Sequence, residues 1–279
     1  MGEALYEAVK GQDIATTSLL LSHGADPNWR PSHGTPQIVH AMKKDNHKLL
    51  NLLLEHGANL EASAPGDGTA LYYAIKAKKL DMINSLLLYG ASVNNAHPSG
   101  GEPALYRAVQ NGDLNIVRTL LSQSDVDLDK KPPGGATSVY KAAKEGNLEM
   151  VQLLLSHGAS AECKEPGGAT AMHRAAKRGD IAMTRELLSF GANVDSTPPG
   201  GATALHEAVK AKDIDMVELL LSHGADVEKK SCGNKSALAR ASKDGETALV
   251  QKLLEASGGR PGPVSNCPFS RSKGSLHSW

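Results

Sequence analysis

The chain has 279 residues, of which 40% are hydrophobic and 22% are charged, as in an ordinary globular protein with a large core. Only 4% of the residues are aromatic, so the core must consist mainly of aliphatic side chains, which favours thin helical layers. Thirty basic and thirty acidic residues cancel, so the net charge indicates neither a nucleic acid nor a membrane as partner.

Segments for export, membrane insertion or covalent cross-linking are not evident in the sequence. The start, MGEALYEAVK, has no apolar signal-peptide core, and no run of about 18 apolar residues follows. Cys163, Cys232 and Cys267 are far apart and form no CxxC motif, so neither a disulfide framework nor a zinc site is predicted. These features predict an intracellular protein with no membrane partner, located in the cytoplasm or alternatively in the nucleus.

A six-residue motif recurs along the chain at intervals of 33 or 34 residues. In chain order the copies are EALYEA from Glu3, PQIVHA from Pro36, TALYYA from Thr69, PALYRA from Pro103, TSVYKA from Thr137, TAMHRA from Thr170, TALHEA from Thr203 and SALARA from Ser236. A leucine-rich run ends 21 residues after each start, usually at a glycine. A fixed period of this length predicts a stack of eight similar units.

Each unit is expected to form two short helices and a turn. In the seventh unit, Leu205, Ala208 and Val209 have helical spacing and predict a first helix with one buried edge. Asp213 can cap a second helix, and Gly224 can end that helix with a left-handed backbone. The same capping role is predicted for Asp13, Asp113, Asn147 and Asp180. Since one unit cannot bury a core alone, neighbouring units must stack.

The period, the TALHEA-like opening and the LLLSHGAD-like close of these units resemble the ankyrin repeat family, over roughly residues 3–257. The resemblance implies an all-α fold, an ankyrin-repeat solenoid of stacked helix-turn-helix units with short β-turn fingers, and a concave surface that binds other proteins. The predicted organisation is a solenoid over residues 1–257 and a flexible Gly/Pro/Ser-rich tail over residues 258–279, in which Phe269 and Trp279 lie.

The fingers depart from the family pattern, which places Asp five residues before the opening Thr. Connectors such as PPGG at 198–201 predict a tight turn, in which Pro sets φ and Gly supplies a positive φ. The fingers are therefore expected to be stiff rather than to carry polar recognition. The residues at the usual Asp position are Pro31, Ala64, Pro98, Pro132, Glu165, Pro198 and Ser231.

Eleven histidines raise the possibility of an enzyme, but most of them recur at fixed positions of the repeat. An active site needs one constellation, so repetition favours structural hydrogen bonding. His33, His40 and His47 are spaced by seven residues, but they belong to a finger, a first helix and the next helix start, so no metal site is predicted. No phosphate loop or catalytic triad is recognisable. We therefore predict no catalytic residue, no cofactor and no enzymatic activity. The recurrent histidines are His23, His56, His157 and His223 before the terminal Gly, and His173 and His206 in the opening motif.

Positively charged residues recur on the edge of the first helix opposite the buried edge. Residues four, seven and eight positions after each motif start share that edge by helical geometry. With neighbouring helices roughly 10 Å apart, they predict a basic stripe along the concave face. The predicted partner-binding residues are Lys10, Lys43, Lys44, Tyr73, Lys76, Arg107, Lys141, Lys144, Arg174, Lys177, Arg178, Lys210, Arg240 and Lys243.

Two interpretations of this stripe remain open. It can capture an acidic segment of a partner protein, with Tyr73 and Trp29 contributing interface contacts. Alternatively, lysines at the ends of short helices stabilise the helix dipole, by about 0.3–1 kcal/mol each, without binding anything. Acids that precede the fingers could also neutralise the stripe; they are Asp129, Glu162, Asp195, Asp226 and Glu228.

The leading functional prediction is a monomeric protein-interaction scaffold or adaptor that binds a partner protein and no small-molecule substrate. A first alternative is the ankyrin-repeat portion of a larger multidomain receptor or regulatory protein. A second is nucleic-acid binding through the lysines, which the lack of interleaved aromatic residues disfavours.

Overall fold

The computed structural model describes residues 1–32, 34–63, 68–95, 101–162, 164–198, 201–231, 233 and 235–258. The described residues form eight consecutive helix pairs, so the all-α prediction is confirmed. We call the first helix of each pair the inner helix and the second the outer helix. His33, Cys163, Cys232 and the predicted tail after Gly258, including Phe269 and Trp279, lie outside the described residues.

The chain divides into two compact units, Met1–Pro166 and Gly167–Trp279. Unit 1 contains five helix pairs, and unit 2 contains three. The helices of unit 1 are α1 Gly2–Lys10, α2 Ile14–Ser22, α3 Gln37–Lys43, α4 His47–Glu55, α5 Ala70–Lys76, α6 Leu80–Leu88, α7 Ala104–Gln110, α8 Leu114–Leu121, α9 Ser138–Glu145 and α10 Leu148–Ser156. The helices of unit 2 are α11 Ala171–Arg178, α12 Ile181–Ser189, α13 Ala204–Ala211, α14 Ile214–Ser222, α15 Ala237–Lys243 and α16 Thr247–Gly258.

Stacking between consecutive pairs builds the core of each unit. In unit 1, each inner helix contacts the next inner helix from α1 to α9, and the outer helices contact one another from α2 to α8. In unit 2, α11, α13 and α15 form the inner row and α12, α14 and α16 the outer row. The buried side chains are aliphatic, such as Leu53, Leu86 and Leu220, which are fully inaccessible to solvent. Each such leucine contributes about 1.5–3 kcal/mol through removal of apolar surface from water.

Side-chain oxygens cap most outer helices, as the sequence predicts. The five predicted capping residues, Asp13, Asp113, Asn147, Asp180 and Asp213, each accept a hydrogen bond from a backbone N–H in the first turn. Asn46 caps α4 in the same way, through the N–H of Leu49. The glycines that follow six outer helices have φ between +78° and +95°, which confirms the left-handed endings; they are Gly24, Gly57, Gly90, Gly158, Gly191 and Gly224.

The finger turns are closed by a glycine that contacts a proline ring. In the connector before α9, the N–H of Gly135 donates to the carbonyl of Pro132 at 2.9 Å, and Gly134 has a φ of +63°. A Cβ on Gly135 would lie 2.3 Å from Cγ of Pro132, so a side chain at this position would collide with the ring. The tight-turn prediction is confirmed, and two further connectors have the same bond at 2.8 Å, from Gly34 to Pro31 and from Gly201 to Pro198.

Candidate protein-binding surface

The predicted partner-binding residues lie on the solvent-facing edge of the inner helices. In α13, Leu205, Ala208 and Val209 are buried, whereas Lys210 on the opposite edge is exposed. The same burial pattern recurs in the other inner helices because helical periodicity places these positions on opposite sides. We call the predicted residues of α1 to α9 the unit-1 face and those of α11 to α15 the unit-2 face. The unit-1 face consists of Lys10, Lys43, Lys44, Tyr73, Lys76, Arg107, Lys141 and Lys144; the unit-2 face consists of Arg174, Lys177, Arg178, Lys210, Arg240 and Lys243.

Several cations of the unit-1 face are paired with acids that the sequence analysis overlooked. Lys10 lies 3.4 Å from Glu7, and Lys141 lies 2.7 Å from Glu145. The hydrogen bond to Glu145 raises the pKa of Lys141 above its ordinary value. The spacings of three and four residues within a helix are a signal that could have revealed both pairs. These contacts reduce the positive charge that a partner would meet at Lys10 and Lys141.

Arg107 is held by three neighbouring groups. Its guanidinium forms an ion pair with Glu102 at 2.8 Å and donates hydrogen bonds to the Tyr72 hydroxyl and to Gln110, both at 2.6 Å. The guanidinium also lies over the Tyr72 ring, 5.4 Å from its centroid. Arg107 therefore links α5 to α7, and its first role is to stabilise the stack.

Aromatic side chains strengthen the inner row near the start of unit 1. The ammonium group of Lys43 lies 5.3 Å from the centroid of the Tyr73 ring, a favourable cation–π distance. Tyr6 contacts His40 and Trp29 edge to face, with centroid separations of 5.4 and 6.1 Å. Burial, followed by the charge of Lys43, lowers the pKa of His40, so this imidazole is neutral at pH 7. Tyr73 and Trp29 are thus partly engaged within the fold and expose the remainder of their rings.

Two acids that the sequence analysis considered as neutralising groups also link neighbouring repeats. The carboxylate of Asp129 accepts the backbone N–H of Ser160, and the carboxylate of Asp195 accepts the N–H of Asp226. Each bond joins one repeat to the next below the inner helices. Both carboxylates keep their negative charge in these bonds, so neutralisation of nearby basic residues by Asp129 and Asp195 stays a prediction.

The lysines of the unit-2 face keep their charge available to solvent. Lys210 and Lys243 are exposed, and neither has an ion pair or hydrogen bond with a described residue through its ammonium group. Arg240 lies 3.6 Å from Asp244, a long contact between two side chains that are 44% and 37% exposed. Lys177 and Arg178 are also exposed, and Arg174 is half-buried.

Five of the six recurrent histidines make structural hydrogen bonds, as the sequence predicts, whereas the ring of His56 makes none with a described residue. His173 and His206 form capping boxes, in which the N–H of Thr170 or Thr203 points at the Nδ1 atom of the imidazole. A second group bonds to the last turn of an outer helix, with Nδ1 2.8 or 2.9 Å from a leucine carbonyl; its members are His23, His157 and His223. Tyr140 replaces the capping histidine in α9 and donates from its hydroxyl to Glu165.

The described residues contain neither a metal-binding cluster nor a membrane-spanning helix. Within the described ranges, no three His, Cys, Asp or Glu side chains gather as a metal site would require. His40 instead contacts the Tyr6 hydroxyl at 3.2 Å, and His33 lies outside the described part. None of the helices described above has the length and apolar character needed to span a bilayer.

Comparisons with known proteins agree with this geometry. The structure is similar to the crystal structure of the ankyrin repeat domain of Bcl-3, described as a unique member of the IkappaB protein family. The TM-score is 0.67 at 23% identity, and the alignment covers 78% of this chain and 97% of that one, which supports the fold alone. A comparison with curated protein sequences found no significant match.

The sequence also matches a family model described as ankyrin repeats (3 copies) in six overlapping segments, at residues 5–97, 38–132, 71–165, 105–198, 139–231 and 197–262. Ankyrin repeats generally bind other proteins, which supports a protein-interaction role for a member of this family. Because the matched segments together span nearly the whole chain, this protein belongs to the ankyrin repeat family.

Proposed function

We propose that this protein is a scaffold or adaptor that binds an acidic segment of a partner protein through the exposed edge of its inner helices. One observation carries the proposal: seven of the eight repeats have a lysine at the same position near the end of the inner helix, and all seven are exposed. Positive charges at the same register on stacked helices attract an extended chain of opposite charge and speed its association.

The charge distribution also favours one part of the surface over the rest. The ion pairs of Lys10, Arg107 and Lys141 lower the net positive charge of the unit-1 face. Lys210 and Lys243 of the unit-2 face have no such pair with a described residue. We therefore expect the unit-2 face to contribute more to binding an acidic segment than the number of its basic residues alone suggests.

The proposal can be tested by selecting peptides from a displayed library of natural disordered segments on the immobilised full chain. The selected peptides should be rich in Asp and Glu, and their affinity should fall as salt is raised, because exposed charge interactions are screened. Selection of peptides without an acidic bias would contradict the proposed partner chemistry. A gel-shift assay with nonspecific RNA and DNA at the same salt concentrations tests the alternative of nucleic-acid binding. Slower migration of the nucleic acid in the presence of the protein would support that alternative.

Charge-reversal variants locate the surface that binds the selected peptides. The double variant Lys177→Glu/Lys210→Glu should weaken binding roughly tenfold or more, since each exposed ion pair contributes up to about 1 kcal/mol and reversal adds repulsion. The matched control, Lys48→Glu/Arg185→Glu, makes the same charge change on exposed positions of two outer helices. Equal losses in both variants would indicate a general charge effect and would refute binding by the inner helices.

The same variants separate binding from the alternative that the lysines only stabilise helix ends. Lys210 lies in the last turn of α13, where a positive charge interacts favourably with the helix dipole by about 0.3–1 kcal/mol. Lys210→Gln should therefore lower stability slightly under either interpretation. It should weaken peptide binding only if the inner-helix surface is the binding site.

A further inference from the structure

A polar cavity of about 320 Å³ lies between inner helices α13 and α15 of unit 2. This volume is at the lower end of the range found for ligand sites, roughly 300–1,000 Å³. We call it the α13–α15 cavity, and its charged lining residues are Glu207, Lys210, Lys235, Arg240, Lys243 and Asp244. Four positive and two negative groups therefore surround one space.

The four positive and two negative groups leave this cavity with a net positive charge. Lys210, Lys235 and Lys243 have no ion pair or hydrogen bond with a described residue through their ammonium groups. The Arg240–Asp244 contact is long, and exposed pairs of this kind contribute little. Three ammonium groups thus remain available to a ligand that enters the cavity.

Two repeats of unit 1 have ion pairs at the equivalent positions. The residue just before the repeat motif is Lys235 in the eighth repeat but Glu102 in the fourth, and Glu102 binds Arg107 at 2.8 Å. In the first repeat, Glu7 and Lys10 lie 3.4 Å apart at the same register as Glu207 and Lys210. The eighth repeat therefore has a lysine where the fourth has an acid, beside an existing group of cations.

The wall of the cavity is held in place by hydrogen bonds from His206 and Ser231. The N–H of Thr203 points at Nδ1 of His206, so the proton of this imidazole belongs on Nε2, which donates to the carbonyl of Lys235 at 3.0 Å. The backbone N–H and the hydroxyl of Ser231 donate to the same carbonyl, each at 3.1 Å. The imidazole of His206 is 4% exposed, so the α13 side of this connection is shielded from water. A fixed wall reduces the ordering that a ligand must induce on binding.

From these observations we propose that the α13–α15 cavity binds the oxyanion group of an acidic side chain, a carboxylate or a phosphate ester. The inference rests on the proposed function, because the side chain would belong to the partner's acidic segment. Lys210 and Lys243 contact the oxyanion from the two inner helices, and Lys235 contacts it from the connector. Glu207 repels the anion, so it limits the affinity.

The experiment titrates the full chain with three probes and follows backbone amide chemical shifts by NMR. The probes are inorganic phosphate, a short peptide with a central glutamate, and the same peptide with a central phosphoserine. All three probes should change the chemical shifts of amides in α13 and α15, and these changes should saturate as the probe concentration rises. The peptide that binds with the higher affinity identifies the natural oxyanion group. Shifts spread evenly over every inner helix, without saturation, would overturn the proposal.

Four variants decide whether the named side chains form the site. Lys210→Gln and Lys243→Gln should each weaken phosphate binding roughly fivefold, and Glu207→Gln should tighten it, because a repulsive charge is removed. The matched control Lys48→Gln removes an exposed lysine from the outer helix α4, outside the proposed surface, and should leave binding at the wild-type level. If Lys243→Gln and Glu207→Gln both bind phosphate like the wild type, the proposal fails.

The two proposals can fail independently. Phosphate binding at α13 and α15 together with a peptide selection that lacks acidic bias would refute the proposed function and retain the cavity. Acidic peptides that bind Lys210→Gln and Lys243→Gln as tightly as the wild type would refute the cavity and retain the proposed function.

Discussion

Replacing Asp195 by asparagine changes one link between consecutive repeats of unit 2. The half-buried carboxylate of Asp195 accepts the N–H of Asp226, with oxygen distances of 3.0 and 3.2 Å. Asn28 and Asn94 occupy the same register in unit 1, and each forms two bonds to the next repeat. Their Oδ1 atoms accept a backbone N–H at 2.6 and 2.7 Å, and their Nδ2 atoms donate to backbone carbonyls.

The magnitude follows from these internal counterparts. Asp195→Asn should keep the hydrogen bond from the N–H of Asp226 and add an N–H donor. In Asn28 this donor binds the carbonyl of Gly57. Gly224 has the same repeat position in unit 2, so its carbonyl is the expected acceptor for the new donor. One additional hydrogen bond stabilises the fold by about 0.5–1.5 kcal/mol. For a cooperative unit of 60–100 residues, about 1 kcal/mol raises the Tm by roughly 4–8 °C.

The gain should depend on pH because Asp195 carries a shifted pKa. Burial raises the pKa of Asp195 above its ordinary value, despite the opposing hydrogen bond from Asp226. The folded state then binds the proton more readily than the unfolded state, so the wild type loses stability as pH rises through this pKa. Asparagine removes that loss. The advantage of the variant should be largest at neutral pH and should shrink below pH ~4, the range of an ordinary carboxyl.

Urea and thermal denaturation of the full chain, followed by circular dichroism at several pH values, measure this effect. Asp129→Asn is the matched control, because Asp129 makes the same kind of bond to Ser160 but is exposed. Its stability change should vary less with pH than that of Asp195→Asn. A destabilised Asp195→Asn variant, or a gain that is equal at pH 3 and pH 7, would refute the reasoning.

Two further substitutions test the local elements of the repeat. Asp213→Ala removes the oxygen that accepts the N–H of Met216, so the midpoint of urea denaturation should fall by the equivalent of about 1 kcal/mol; an unchanged midpoint would show that water caps α14 equally well. Gly135→Ala should destabilise unit 1 by about 1–3 kcal/mol, because the added Cβ overlaps the ring of Pro132. Gly233→Ala, where a Cβ meets nothing within 4 Å, is its control, and equal effects in the two variants would remove the steric explanation.

The site could be predicted only in part. The helical period placed Lys210 and Lys243 on the exposed edge of the inner helices, as the structure has them. The ion pair of Lys141 with Glu145 was also accessible to sequence reasoning, because it spans four residues of one helix. The hydrogen bond from Arg107 to the Tyr72 hydroxyl could not be predicted in this way, because the two residues are 35 positions apart and meet only when α5 and α7 stack.

The sequence by itself determined the repeat period, the helix pairs, the caps such as Asp213 and the proline–glycine turns. These features depend on interactions within a few residues, and each repeat carries its own copy of them. Tertiary structure alone decided which lysines remain unpaired, which carboxylates link neighbouring repeats, and that Lys235 and Lys243 line one cavity. Those outcomes depend on distances between side chains of different repeats, which exist only after the helices have stacked.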